Sequence, residues 1–159
     1  MTIRAASVRD LDAIVRLWEM LMASHRALNA TLYETKPTAS ATWRAFARRH
    51  LDKRGTVFLV ATDGPDVQGD VVGYLLGAVG QRAPIYTIGE IGMIYDLVVA
   101  PGKRRRGTGE ALFLTAADWF RGRGVRHLQV HFDARNPSSS RFWPKMGFDT
   151  LLDEAYLIL

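Results

Sequence analysis

A basic, glycine-rich turn contains the residues whose types and spacing most clearly suggest chemistry. Its sequence is Arg104-Arg105-Arg106-Gly107-Thr108-Gly109, and it follows a run of β-forming residues and precedes a segment with helical apolar spacing. The first turn of a helix offers free backbone N–H groups and positive dipole character, which suit a phosphate group. The glycines allow a bulky pyrophosphate to approach closely, and the guanidinium groups bind phosphate oxygens in bidentate geometry. The turn therefore predicts a site for a nucleotide with several phosphates.

Two common nucleotide motifs fit this turn poorly. A Walker loop requires Gly-Lys-Ser/Thr after the glycines, and the dinucleotide fingerprint requires a small residue where Leu112 stands. Several arginines suit a ligand with a pyrophosphate and a further phosphate, as in coenzyme A. The alternative is a solvated basic turn with no ligand. We expect coenzyme A because the context described below supports it.

Composition limits the remaining possibilities. The 159 residues include no cysteine, which excludes a cysteine acyl intermediate and a thiolate metal site, so we expect direct transfer and no metal. Lys and Arg number 21 against 16 Asp and Glu, giving a net charge of +5 that suggests a polyanionic partner. No apolar run approaches the roughly 18 residues of a membrane helix, and no signal peptide is recognisable. We expect a cytoplasmic protein with one domain over residues 1–159.

The hydrophobic pattern predicts strands and helices on both sides of the turn. Ser7 and Asp10 resemble a capping box at the start of the first helix. The predicted strands are 3–5, 57–61, 71–76, 88–99, 127–132 and 155–159, and the predicted helices are 11–22, 39–51, 111–120 and 136–147. The basic turn 104–109, called the phosphate turn below, thus lies between the fourth strand and the third helix.

Two motifs resemble those of the GNAT superfamily of N-acyltransferases. Its signature between the fourth strand and third helix is Arg/Gln-x-x-Gly-x-Gly/Ala, which Arg104, Gly107 and Gly109 match. Its closing pattern is Asn, a small residue three later, an aromatic residue four beyond that, and Gly-Phe. The matching residues are Asn136, Ser139, Trp143, Gly147 and Phe148. The order of the predicted elements also resembles this superfamily over nearly the whole chain.

This resemblance implies an α/β fold of the α+β type. Its central sheet is mixed, mostly antiparallel, splayed between strands 4 and 5 and flanked by helices. It also implies an N-acetyltransferase that moves an acetyl group from acetyl-CoA to a primary amine. Small molecules and proteins both remain possible acceptors. A non-catalytic module that binds or senses acyl-CoA is the alternative. We expect no nucleic acid or membrane partner, and a homodimer is possible because the last predicted strand is apolar enough to pair across an axis.

By resemblance, the cofactor contacts fall on three segments. Backbone groups of Leu97 and Val99 are expected to bind the thioester carbonyl and the pantetheine arm, and Val98 between them is expected to belong to the same cofactor site. The turn from Arg104 through Arg105, Arg106, Gly107 and Thr108 to Gly109 is expected to hold the pyrophosphate. Asn136, Ser139 and Trp143 are expected to contribute from the other side. Asn136 equally fits a helix N-cap before Pro137.

Proton transfer has four candidate residues. A lysine-like amine is almost wholly protonated near pH 7, so a group must take its proton before attack. Strand alternation places Met93, Tyr95 and Leu97 on one face and Ile94 and Asp96 on the other. Tyr95 is then the best-placed ionisable group, and Glu90 or Asp96 replaces it if a bulge shifts the register. His131, on the next strand, has an imidazole side chain, which is a type often used as a proton relay.

Trp143 departs from the superfamily, which usually has a tyrosine as the general acid at this position. An indole cannot donate a proton usefully, so water or Tyr95 is expected to protonate the leaving thiolate. Pro144 follows, and we expect it to push Trp143 out of helical angles. The segment from His25 to Pro37, which includes Tyr33 and Glu34, is expected to shape the acceptor site without revealing the acceptor.

Overall fold

A computed structural model of the chain describes residues 1–64, 69–152 and 154–157. Within these residues, five strands and four α-helices follow one another in the predicted order, without the last predicted strand. The strands are β1 (Thr2–Ala5), β2 (Thr56–Thr62), β3 (Val71–Gln81), β4 (Glu90–Val99) and β5 (Leu128–Val130). The helices are α1 (Leu11–Leu28), α2 (Ala39–Leu51), α3 (Thr108–Arg121) and α4 (Pro137–Lys145). No helix in these ranges has the length and apolar character needed to cross a bilayer.

The five strands form one sheet in the order β1-β2-β3-β4-β5. The first four are antiparallel neighbours, and β5 lies parallel to β4. This mixed, mostly antiparallel sheet flanked by helices confirms the predicted fold class. The pairing of β4 with β5 extends only from Gly92↔Leu128 to Ile94↔Val130, so the two strands part near the middle of β4.

Each face of the sheet carries its own hydrophobic core. On one face, α3 and α4 pack around the fully buried Leu112 and Phe120 and the nearly buried Trp143. On the other face, α1 and α2 pack around Ile14 and Tyr74, both without exposed surface. Apolar residues at helical spacing on α1 and α3 account for these two cores. The buried faces fix both helices against the sheet.

The start of the first helical segment is stabilised as the sequence suggests. The Ser7 backbone N–H donates to Asp10 Oδ2 at 2.8 Å, and the Ser7 hydroxyl donates to the same oxygen at 2.8 Å. Arg4 also binds the Asp10 carboxylate, at 2.7 Å. The guanidinium balances a carboxylate that is 4% exposed. This cluster fixes the passage from β1 into α1.

One predicted strand is longer than expected, one is shorter and one is absent from the described residues. β3 was predicted over 71–76 and extends to Gln81. β5 is confined to Leu128–Val130, whereas 127–132 was expected. Ala155–Leu157 form no strand, so that part of the prediction for 155–159 is wrong, and Ile158 and Leu159 lie outside the described residues. Leu157 is 78% exposed, and an apolar extended segment gains no ladder hydrogen bonds until another strand pairs with it. The predicted turn at 63–66 also lies partly outside the described residues, since Pro65 and Asp66 are not described.

Candidate active site

A wedge opens in the sheet where β4 and β5 part. Beyond Ile94, β4 continues to Val99 with β3 on one side, while β5 ends at Val130. Within the described residues, no strand pairs with the other edge of β4 from Tyr95 to Val99. An exposed strand edge offers backbone N–H and C=O groups to any extended ligand. Backbone groups of successive strand residues point to opposite edges, and Ala100 N–H donates to Val72 of β3, so Val98 also faces β3. The wedge therefore presents backbone groups of Leu97 and Val99 in the manner expected for a pantetheine arm, whereas those of Val98 point away from it.

A β-bulge lies in β4 at the mouth of this wedge. Leu76 pairs with Asp96 and Gly77 pairs with Ile94, so Tyr95 is an extra residue without a partner on β3. One extra residue reverses the inward and outward alternation downstream of it. The bulge is the register shift under which Asp96 becomes a candidate base.

The bulge overturns the face assignment made from simple alternation. Ile94 and Leu97 both pack with the core beneath α3, although they were expected on opposite faces. Val98 belongs to the core beneath α1 and α2, and Asp96 bonds to Tyr74 of that same core. Asp96 therefore faces the α1–α2 side, opposite to Leu97. The predicted grouping of Met93, Tyr95 and Leu97 on one face is wrong because a bulge interrupts the two-residue period.

Asp96 occupies an environment suited to accepting a proton. The hydroxyl of Tyr74 donates to Asp96 Oδ2 at 3.1 Å. Burial raises the pKa of Asp96 to about 6, and the Tyr74 hydrogen bond opposes that rise. A carboxyl group with such a pKa is largely ionised at pH 7 and still basic enough to take a proton from an amine in the course of reaction.

The other three candidates have different surroundings. Tyr95, at the bulge, is 49% exposed. Glu90 begins β4 at the end where β5 pairs with it, and its carboxylate accepts a hydrogen bond from Gln81 at 3.0 Å. His131 is exposed just after β5, with its Nε2 atom 3.2 Å from Gln129 Nε2. The structure thus brings Tyr95, Asp96 and His131 to the wedge and leaves Glu90 at the opposite end of β4.

The phosphate turn follows directly from the end of β4. The 3-10 turn Pro101–Lys103 follows β4, and α3 begins at Thr108. Gly107 is the N-cap of α3 with φ 80°, a left-handed conformation that favours glycine. Arg104 Nε donates to the carbonyl oxygen of Val99 at 2.9 Å, which holds the turn against the strand. The free N–H groups of the first turn of α3 therefore lie at the end of the wedge.

Within the turn, the side chains divide into buried and exposed groups. Thr108 is 4% exposed and its hydroxyl donates weakly to the Lys103 carbonyl at 3.4 Å. Arg105 and Arg106 are exposed, and Arg105 itself has a positive φ of 59°. A Cβ atom on Gly109 would lie 3.4 Å from the side chains of Leu97 and Phe142. The two arginines are thus free to meet anionic groups, whereas Gly109 fits closely between β4 and α4.

The first turn of α4 forms part of the other wall. Asn136 is its N-cap, and its side-chain oxygen accepts hydrogen bonds from the backbone of Ser138 at 3.0 Å and Ser139 at 3.4 Å. The capping role weighed for Asn136 is therefore present. Its amide NH₂ group is still available as a donor to a ligand.

Trp143 lies in the α3-side core. It is 5% exposed, and its ring packs edge-on against Phe113 and Phe148. Helix α4 continues through Trp143 and Pro144 to Lys145, so the expectation that Pro144 removes Trp143 from helical angles is wrong. Pro144 lies in the last turn of α4. Packing of the Trp143 indole keeps Trp143, the residue before the proline, in helical conformation. Trp143 contributes packing to this wall.

One contact between distant segments has no signal in the sequence. The hydroxyl of Tyr33, in the connection between α1 and α2, donates to Asp133 Oδ2 at 3.1 Å. Arg135 binds the same carboxylate through Nε at 2.9 Å and Nη2 at 2.6 Å, and these bonds hold the pKa of Asp133 well below its usual range. The His25 ring packs 4.9 Å from that of Tyr33, and burial lowers the pKa of His25. The α1–α2 connection is thereby tied to the chain that follows β5.

Comparisons with known proteins agree with this geometry. Residues 15–148 match the family model described as Acetyltransferase (GNAT) family. Mycothiol acetyltransferase of Beutenbergia cavernae is 34% identical over 82 residues, which are 52% of this chain and 27% of that relative. The aligned region is therefore about a quarter of the length of that enzyme.

Solved structures share the fold over the full chain. A tetramutant of a Bacillus halodurans protein has a TM-score of 0.87 at 20% identity, with 100% of both chains covered. An aminoglycoside antibiotic 6'-N-acetyltransferase of Acinetobacter haemolyticus has a TM-score of 0.75 at 16% identity, covering 100% of this chain and 98% of that one. At these identities the likeness concerns the fold alone.

Proposed function

The chain belongs to the acetyltransferase (GNAT) family, and from this premise we propose that it transfers the acetyl group of acetyl-CoA directly to a primary amine. The observation that carries the proposal is the wedge between β4 and β5, which ends at the N-terminus of α3. A strand edge for an extended arm is thus continuous with backbone N–H groups and arginines for phosphates. Few ligands other than an acyl-CoA combine these two parts.

The cofactor contacts follow from that continuity. Backbone groups of Leu97 and Val99 bind the pantetheine arm and the thioester carbonyl, and one N–H stabilises the developing oxyanion. Val98 lies between them and pairs with Tyr74 of β3. The turn from Arg104 to Gly109 binds the pyrophosphate, with Arg105 and Arg106 supplying exposed positive charge. Asn136 and Ser139 contribute from α4, where Trp143 supports the wall by packing.

Asp96 serves as the general base in this proposal. It takes a proton from the acceptor ammonium, directly or through water, and leaves a neutral amine. The nitrogen lone pair then forms a bond to the thioester carbonyl carbon. As the tetrahedral intermediate collapses, the carbon–sulfur bond breaks and the nitrogen releases its second proton to water, which leaves a neutral amide. Tyr95 or water protonates the departing thiolate. Asp96 is preferred over Glu90 because it lies at the wedge with a raised pKa, and His131 remains the alternative relay.

A panel assay of coenzyme A release tests the proposed activity. Acetyl-CoA is incubated with small amines, amino acids, aminoglycosides and lysine-containing peptides, and free thiol is followed against a buffer control. The proposal is supported if at least one amine releases coenzyme A faster than acetyl-CoA hydrolyses in buffer and yields the matching acetylated product. Tight acetyl-CoA binding without release for any amine would instead identify a non-catalytic acyl-CoA-binding module. Failure to bind acetyl-CoA would overturn both functions.

A further inference from the structure

A second concave site lies on the α1–α2 face, away from the phosphate turn. It is a cavity of about 380 Å³ between the second half of α1 and residues 35–40. Trp18, Met22 and Pro37 provide its apolar lining. Sites for small molecules typically begin at about 300 Å³. The volume is therefore suited to a small metabolite.

Three charged side chains line the same cavity. Glu19 is held by the Ser40 hydroxyl, which donates to its Oε1 atom at 2.6 Å. Arg26 Nη1 donates to Thr35 Oγ1 at 3.1 Å, which occupies one of the five guanidinium N–H groups. Lys36 adds a second positive charge. One carboxylate held by a hydrogen bond and two cations, all three on solvent-exposed residues, therefore line a single open cavity.

This combination of groups selects for one ligand chemistry. The carboxylate of Glu19 favours an ammonium group, and Arg26 with Lys36 favours a carboxylate. The partly exposed Met22, beside the edge of the mostly buried Trp18, favours a short aliphatic group. A ligand that satisfies all three is a small zwitterion with an apolar side chain.

A series of aromatic residues lies between this cavity and Asp96, the proposed base. Trp18 stacks on Trp43 with ring centres 5.2 Å apart, and Trp43 lies 5.8 Å from the ring of Tyr74. Tyr74 in turn bonds to Asp96. Trp43 thus intervenes between the cavity and the proposed base, so a molecule in the cavity does not reach Asp96 along this path.

We propose that the cavity is a binding site for a free aliphatic amino acid, distinct from the acetyl-CoA wedge. The ammonium group binds Glu19, the carboxylate binds Arg26 and Lys36, and the side chain rests on Trp18 and Met22. The assignment concerns binding alone and holds whether or not the chain proves to be an acetyltransferase.

A two-dimensional NMR titration of nitrogen-labelled protein tests this site without any turnover. The probes are L-leucine, leucinamide without a carboxylate, and 4-methylpentanoate without an amine. The expected result is a saturable shift of the Trp18 indole N–H and the Ser40 amide with L-leucine. Each analogue should bind at least about tenfold more weakly, as expected when a charge-assisted hydrogen bond is lost. A Trp18→Phe spectrum assigns the indole signal.

Variants separate the site from general charge effects. Glu19→Gln and Arg26→Gln should each weaken L-leucine binding by about tenfold. Arg16→Gln removes a charge from an exposed position of α1 outside the cavity and should bind normally. No saturable shift with L-leucine, equal binding of leucinamide, or shifts confined to the wedge would each overturn the site. Saturable cavity binding in a protein that releases no coenzyme A would leave the site standing and refute only the proposed transfer.

Discussion

The wholly buried Tyr74 directs its hydroxyl at Asp96, donating a hydrogen bond of 3.1 Å to Oδ2. Burial alone raises the pKa of Asp96, and this bond opposes the rise by favouring the ionised form. In the proposed mechanism Tyr74 is a positioning residue, because its hydrogen bond holds the Asp96 carboxylate and lowers the pKa of that group.

Tyr74→Phe should raise the pKa of Asp96 above about 6, because the carboxylate loses a donor. If the ionised carboxylate is the base, the acidic limb of the pH–rate profile moves to higher pH. The rate at high pH should change much less. Phe58→Leu, at a neighbouring core position, is the control for a loss of packing and should leave the limb in place. An unmoved limb in Tyr74→Phe would argue against Asp96 as the base.

Asp96→Asn should change the dependence of folding stability on pH. The pKa of Asp96 is about 6 in the folded protein against an ordinary 3.8, so between these values the folded state retains a proton that the unfolded state has released. The contribution of Asp96 to the stability of the parent protein therefore falls as pH rises from about 4 through 6. The variant lacks this loss and should be more stable at pH 7 by up to about 3 kcal/mol. Urea unfolding at pH 4 and pH 7 measures the difference, and equal pH dependence in both proteins would contradict it.

Gly107→Val should weaken acetyl-CoA binding by a few kcal/mol while the fold persists. The residue has φ 80°, a conformation that a β-branched side chain adopts only with strain, and its added bulk lies where the phosphates are expected. Gly102→Val is a matched control, since its Cβ would meet no atom within 4 Å and its φ is ordinary. Calorimetric titration should show weakening in the first variant only. Equal affinity in both folded variants would remove Gly107 from the cofactor site.

Arg106→Ala should raise the Michaelis constant for acetyl-CoA with little change at saturation, because its charge meets phosphates remote from the reacting carbon. The effect should shrink as salt rises. Arg104→Ala should have a larger effect, since it also loses the bond to the Val99 carbonyl. Arg121→Ala, at the far end of α3, is the control. A change confined to the acceptor kinetics would reassign the turn to acceptor recognition.

Tyr95→Phe should lower turnover by about one to three orders of magnitude if the phenol protonates the thiolate. Acetyl-CoA affinity should stay nearly intact, because only a hydroxyl is removed. Trp143→Phe should act on stability instead, since the indole lies in the α3-side core. Wild-type turnover of Tyr95→Phe from pH 6 to 9 would leave water as the proton donor.

The phosphate turn and the element order were predictable because they depend on local spacing. Arg104, Gly107 and Gly109 follow one another within a single turn, and helical or strand periodicity marks the flanking elements. The orientation of Asp96 was not predictable in the same way, since the residues around Tyr95 are all compatible with regular alternation. Only pairing with β3 shows that Tyr95 is extra.

Contacts between distant segments were also beyond the sequence. Tyr33 and Asp133 meet although 100 positions separate them, and neither belongs to a motif. The last predicted strand failed for a related reason. Strand-forming residues at 155–157 specify a preference for extended backbone, whereas a strand also requires a neighbour to pair with.

The short pairing of β4 with β5 also affects how cooperatively the protein unfolds. Three residue pairs are the whole strand connection between β4 and the C-terminal segment that begins with β5, within the described residues. That segment has fewer shared hydrogen bonds to lose than the four-stranded antiparallel part, so it is the natural unit for sub-global opening. An acyl-CoA that binds both walls of the wedge would link the four-stranded part to the segment that begins with β5. If acyl-CoA binds as proposed, it should slow amide hydrogen exchange in β5 and α4 more than in β2 and β3, and the two units should then unfold as one.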